Sequence, residues 1–128
     1  MGLLRWFTAN RANTAGPSHP DLRPLELPCL PAEAAGLIAG AVGGMPRWAV
    51  VDTDPGTGTV RLTRRTRLFR FVDDVTVRLE LDGADRTKVQ AESHSRVGKG
   101  DLGQNRRNIL ELWRAVSRAT RDRERSGR

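Results

Sequence analysis

The sequence predicts an α+β domain, a four-stranded antiparallel sheet flanked by an N-terminal helix and a longer C-terminal helix. Three observations carry this. Val75, Val77, Leu79 and Leu81 alternate strictly with Thr76, Arg78, Glu80 and Asp82, the period-two pattern of a half-buried strand. Apolar residues recur instead at helical spacing at Leu37, Ile38, Ala41, Val42 and Met45, and again at Leu102, Ile109, Leu112, Trp113 and Val116. A length of 128 residues bounds the chain to one small core.

Taken in order, residues 1–24 read as a flexible leader, because 8–24 are rich in Asn, Ala, Pro and Gly and lack apolar periodicity. The single α+β domain spans 25–118, and 119–128 form a charged helix end or tail. Pro31 suits the first turn of a helix near 32–44, which Gly43, Gly44 and Pro46 stop. Strands follow at 48–53, 59–71, 75–82 and 87–96. Asp54 to Gly58 supplies the first turn, Val72-Asp73-Asp74 the second and Asp82 to Asp85 the third. Within the second strand Val60 and Leu62 face one way and Phe69 and Phe71 the other, which predicts a bulge or break near 65–67. Asp101, with Gln104 three residues on, fits a capping box for the last helix. The expected core is Trp48, Leu62, Val77, Leu79, Val89, Ile109, Leu112, Trp113 and Val116, and the Phe and Trp residues read as core throughout.

Charge divides the chain. Residues 1–60 carry four arginines against five acids, whereas 61–128 carry eighteen Lys plus Arg against ten acids. Only Lys88 and Lys99 of the 22 basic residues are lysine, so base composition of the genome explains the arginines as well as function does. A pI near 11.3 favours polyanions at long range. One cysteine, Cys29, excludes an internal disulfide framework, and with His19 and His94 as the only histidines neither a metal site nor a cofactor is expected. The longest uncharged stretch, 34–45, is too short for a membrane span. The start MGLLRWFTAN fits neither a secretory signal nor an N-myristoylation pattern, and the expectation is a cytoplasmic protein.

Two segments go beyond pattern. Thr66-Arg67-Leu68-Phe69-Arg70-Phe71 with Asp73-Asp74-Val75, and Ser95-Arg96-Val97-Gly98-Lys99-Gly100-Asp101-Leu102-Gly103-Gln104-Asn105, resemble the domain of unknown function 1499 family over roughly residues 25–116. That family is marked by a Thr-Arg…Phe-x-Asp-Asp-Val stretch and a Ser-Arg-Val-Gly-x-x-Asp-Leu-Gly-x-Asn stretch. The resemblance implies no activity. Many relatives carry a membrane or lipoprotein-like start and a Cys-Val-Ser segment, in place of which this chain has Leu27-Pro28-Cys29-Leu30-Pro31, so an exported location does not carry over.

Of the motifs, Gly98-Lys99-Gly100-Asp101-Leu102-Gly103 matches the G-x-G-x-x-G of dinucleotide sites between a strand and a helix. No further parallel strand follows, and Asp101 places a carboxylate where a pyrophosphate would sit, so a turn with a cap is the better reading. His94 between Ser93 and Ser95 suggests a triad, yet neighbours on a strand face opposite ways. No catalytic set is expected, and an enzyme is disfavoured.

The best polar constellation is Ser93, Ser95, Arg96, Asp101 and Asn105. Ser93 and Ser95 lie on the inward face of strand four and Asn105 on the apolar line of the last helix. With Arg67 or Arg96 beside them they suit a carboxylate or phosphate. Asp73, Asp74, Gly98, Asp101 and Gly103 read as structural parts of the motif. The expected function is a non-enzymatic binding module that takes a small anion or an acidic protein surface at Arg67, Ser93, Ser95, Arg96 and Asn105. The alternative is a nucleic-acid accessory protein using Arg61, Arg64, Arg65, Arg67 and Arg70 with the arginines of the last helix (107, 114, 118, 121 and 125), binding weakly and without sequence preference.

Overall fold

A computed structural model of the protein describes residues 11–14, 22–66, 71–96 and 103–126. The elements in chain order are β1 (Arg11–Asn13), β2 (Leu25–Leu27), α1 (Pro31–Gly43), β3 (Trp48–Asp54), β4 (Thr59–Arg65), β5 (Val72–Asp82), β6 (Arg86–Ser95) and α2 (Gln104–Ser126). The sheet runs β1-β6-β5-β4-β3, with β2 also paired to β6, and every pairing is antiparallel. It therefore has six strands, not the expected four. The two added strands are three residues each, too short for alternation to show in a sequence. Their work is at the edge: β1 covers 92–94 of β6 and β2 covers 87–89, which pairs backbone groups that would otherwise lie open. Thr14 extends this contact, its N–H donating to the Ala91 carbonyl and its Oγ1 accepting from the Ala91 N–H. Leu22 is buried as well, so parts of the segment expected as a leader belong to the fold.

One face of the sheet is covered, as alternation requires. Val60 and Leu62 of β4, Val75, Val77 and Leu79 of β5, and Val89 and Ala91 of β6 are buried against Ala34, Ile38 and Val42 of α1 and Ile109, Leu112 and Val116 of α2. Pro31 opens α1, where its missing N–H costs nothing, and the N–H groups of Gly44 and Met45 close it on the carbonyls of Ala41 and Val42 respectively. Arg123 of α2 pairs with Glu33 of α1.

Three local expectations are corrected. Val72, Asp73 and Asp74 are strand rather than turn, and β4 ends at Arg65 with the reversal bracketed by Thr66 and Phe71, whose backbone groups bond. The second strand, expected to run on to 71, stops at the break expected near 65–67, and a further register shift in the first hairpin lies between Val50 and Asp52. Phe71 is exposed, and Trp113 is half-buried at the margin of the core with its Nε1 donating to the Arg23 carbonyl.

The β3–β4 turn is built by Asp54, whose Oδ1 accepts from the N–H groups of Gly56 and Thr57. Gly58 then takes a positive φ and passes close to β5, so that an added Cβ would lie 2.6 Å from the Leu79 carbonyl oxygen. Gly83 in the β5–β6 turn also has positive φ, with open space around it. Gly83→Ala should therefore cost about 1 kcal/mol from the left-handed backbone alone, and Gly58→Ala distinctly more. Urea unfolding of the two variants checks the order; equal costs would show that the Leu79 contact is unimportant. Leu112→Ala should cost about 2–5 kcal/mol in the same assay.

Candidate functional site

Cross-strand pairing builds a row of unusual composition at one end of the covered face. Trp48 pairs with Arg64, Arg64 with Asp73 and Asp73 with Ser95, so four strands set one residue each into it. In the next row Leu62 pairs with Val75, Val75 with Ser93 and Ser93 with Ala12. Parity explains why Arg64 and Asp73 turn inward: each continues the phase of the buried apolar residues on its own strand.

The first turns of α2 lie over these rows and answer their polarity. Ser93 donates its hydroxyl to Asn105 Oδ1 at 2.6 Å, and Asn105 Nδ2 donates to Ser95 Oγ at 2.8 Å. Asn108 Nδ2 donates to Asp73 Oδ2 at 2.7 Å and to Ser93 Oγ at 3.1 Å, while its Oδ1 accepts from Gln104 Nε2 at 2.6 Å. Ser93, Asn105 and Asn108 are fully buried and Asp73 is 2% exposed. One turn further on, Glu111 Oε1 accepts from Trp48 Nε1 at 2.6 Å and from Arg64 Nε at 3.1 Å. Asn105, Asn108 and Glu111 thus read the polar end of the sheet at three-residue spacing, before Ile109, Leu112 and Val116 take over with apolar contact.

The expected site residues are distributed as follows. Ser93, Ser95 and Asn105 do converge, and they are engaged with one another. Arg96 is on the exposed side, where its Nε and an Nη each donate to Asp74 at 2.9 Å. Asp73 and Asp74, neighbours on β5, face opposite ways. Gly103 has φ +83° and its carbonyl accepts from the Arg107 N–H at the start of α2. Arg67, Gly98 and Asp101 lie outside the described residues. His94 pairs in register with Asp74, on the face away from the Ser93 hydroxyl, so these residues form no triad.

The sequence did not reveal a cleft of about 270 Å³ between the α1–β3 turn and α2. Its walls include Arg47 and Trp48 on one side and Glu111, Arg114 and Arg118 on the other. Arg114 and Arg118 are one helical turn apart, a spacing visible in the sequence. Arg47 gave no signal, because only the turn after Gly44 brings it there. Its φ is +70°, a left-handed conformation that costs a side-chain-bearing residue about 1–2 kcal/mol. The Arg65 N–H holds it by donating to the Arg47 carbonyl at 2.9 Å. Among the described residues the guanidinium groups of Arg47, Arg114 and Arg118 have no acceptor or acid as partner. Glu111, the acid in the wall, is already held by Arg64 and Trp48. A larger depression of about 440 Å³ at the β3–β4 hairpin offers less, since its Arg61 is paired with Asp52.

Two tests follow from this geometry. Asn105→Ala strands buried hydroxyl groups and should cost about 1–3 kcal/mol by urea unfolding; an unchanged midpoint would show that water replaces the amide freely. The Arg96 hydrogen bonds hold the Asp74 carboxyl below the ordinary aspartate range, against a smaller rise from partial burial. A depressed folded-state pKa gives stability that is full above the unfolded value of about 3.9 and lost as pH falls through the folded one. The gap between wild type and Arg96→Ala should therefore be small and constant at neutral pH and close as acid is added, as measured by unfolding from pH 7 down to pH 2.

No curated protein and no solved structure matches the chain. The profile of the family described as protein of unknown function (DUF1499) matches residues 6–116, which take in the whole sheet, α1 and the Asn105, Asn108 and Glu111 turns of α2, and the chain belongs to that family.

Proposed function

We propose that the domain is a non-catalytic binding module that takes a small anionic group, a phosphate or carboxylate, in the cleft between Arg47, Arg114 and Arg118. The single observation that carries this is three guanidinium groups around one cleft, without partners among the described residues, beside a glutamate that is already compensated. Guanidinium forks match the two oxygens of a carboxylate or phosphate, and placing three together repays its repulsion only when an anion sits between them. Strain at Arg47 supports the same reading, because a left-handed arginine on a turn is held there by its surroundings. The volume suits one anionic group rather than a large cofactor.

The Ser93, Ser95 and Asn105 cluster, expected as the site itself, serves in this reading to fix α2, and with it Arg114 and Arg118, at a set height over the sheet. Of the arginine-rich second strand, Arg61 is paired with Asp52, Arg64 is turned inward to Glu111 and Arg65 is exposed, while Arg67 and Arg70 lie outside the described residues. No helix among the described residues is long and apolar enough to cross a membrane, and buried Cys29 is a free thiol.

Titration with inorganic phosphate at low salt, followed by NMR, tests it. Shifts should centre on the backbone of 44–48 and 111–118, and Arg114→Ala or Arg47→Ala should weaken binding about tenfold with the fold intact. Shifts centred on Ser93 to Arg96 instead would return the site to the strand-four end.

A further inference from the structure

The cleft is one end of a longer feature. Residues of an α-helix turn by about 100° each, so Arg114, Arg118, Arg121 and Arg125 fall within about 60° of arc and run along about 16 Å of axis. Arg123 lies on the opposite side, and it is the arginine of this stretch that finds an acid, Glu33 of α1. Asp122 and Glu124 flank the row without entering it. Residues 121–126 are all exposed, so the row continues beyond the body of the domain. Among the described residues Arg114, Arg118, Arg121 and Arg125 form no side-chain hydrogen bond or ion pair.

We infer that this row is a track for the phosphodiester backbone of a nucleic-acid strand, with one phosphate seated in the cleft and the following ones along α2. The inference rests on the cleft reading for its first phosphate and goes beyond it in naming a polymer. Charges repeated at each helical turn, about 5–6 Å apart, suit a ligand that carries one anion per unit. A single carboxylate or phosphate leaves Arg121 and Arg125 unused. A membrane surface fits less well, because the apolar face of α2 is spent on the sheet: Ile109, Leu112 and Val116 are fully buried, and no large exposed apolar residue lies on α2. Base-specific contact is not expected. Trp48 is buried and Trp113 half-buried, which leaves no aromatic platform on the row for stacking.

The test is fluorescence anisotropy of the full chain with a labelled 20-nucleotide single strand over a salt series, beside phosphate titration by NMR. The strand should bind more tightly than inorganic phosphate, independently of base sequence, with log affinity falling against log salt at a slope of about −3. Arg121→Ala with Arg125→Ala, on an exposed stretch, should reduce that slope by about 1.4 and weaken the strand about tenfold at low salt. The same double variant should leave phosphate binding in the cleft unchanged. If the strand binds no better than phosphate, or ignores the double variant, the track is wrong while the cleft stands. If phosphate shifts nothing in the cleft yet the strand responds to the double variant, the cleft reading falls and the seat assigned to the first phosphate falls with it. Vesicles of anionic phospholipid that bind as tightly as the strand, with the same sensitivity to the variant, would also overturn the assignment.

Discussion

The arrangement depends on a buried polar interface that has to be satisfied in one register. Ser93, Ser95 and Asp73 face inward where the sheet meets the start of α2, and an unpaired polar group there costs more than a made hydrogen bond returns. Asn105 and Asn108 answer them, with Gln104 closing the chain of bonds. An apolar contact tolerates a small slide of a helix, whereas this set does not: moving α2 by one residue would strand several groups at once. The cluster therefore acts as a register pin. The apolar residues that follow supply most of the adhesion, and the polar ones decide where it is applied.

That pin sets the charges. Once Asn108 lies over Asp73, the helical repeat brings Glu111 to Arg64 and Trp48, and the next turns carry Arg114 and Arg118 past the α1–β3 turn to face Arg47. The inward arginine of β4 is compensated by Glu111, and the three beyond it have no acid of their own among the described residues. A functional feature on the surface thus has its cause in buried side chains that never meet a ligand.

Much of this was legible in the sequence, and what was not has identifiable causes. Strict alternation from Val75 to Leu81 and the helical recurrence of Ile109, Leu112 and Val116 marked the longest strand and helix, because one face is buried from Val75 to Leu79 in the strand and from Ile109 to Val116 in the helix, although Leu81 itself is exposed. Parity likewise placed Ser93 and Ser95 inward, and helical spacing placed Asn105 toward them. The three-residue strands β1 and β2 were illegible, since they are held by the edge of β6 and not by any pattern of their own. Asp73 and Asp74 were misread for a related reason. Aspartate is a turn residue by local preference, and only a donor from another element, Asn108 on one face and Arg96 on the other, keeps the pair in a strand. The cleft was missed because Arg47 and Arg114 are far apart in the chain and meet only through the fold.

The arginines show how little composition alone says. The excess of arginine over lysine looked equally like genomic bias and like function, and the structure adds which of the residues have partners. Arg61, Arg64, Arg96 and Arg123 each pair with an acid, and each sits where register or helix packing delivers one. Arg47, Arg114, Arg118, Arg121 and Arg125 have no such partner among the described residues, nor have Arg23, Arg65 and Arg78 elsewhere in the domain, but Arg114, Arg118, Arg121 and Arg125 share one face of one helix. Unpaired charge is thus scattered as well as clustered, and what sets α2 apart is four guanidinium groups on one face. Like charges on one helix face repel by a few tenths of a kcal/mol per pair, a small cost that an anionic ligand offsets, so the sorting points to the surface of α2 more strongly than the net charge does.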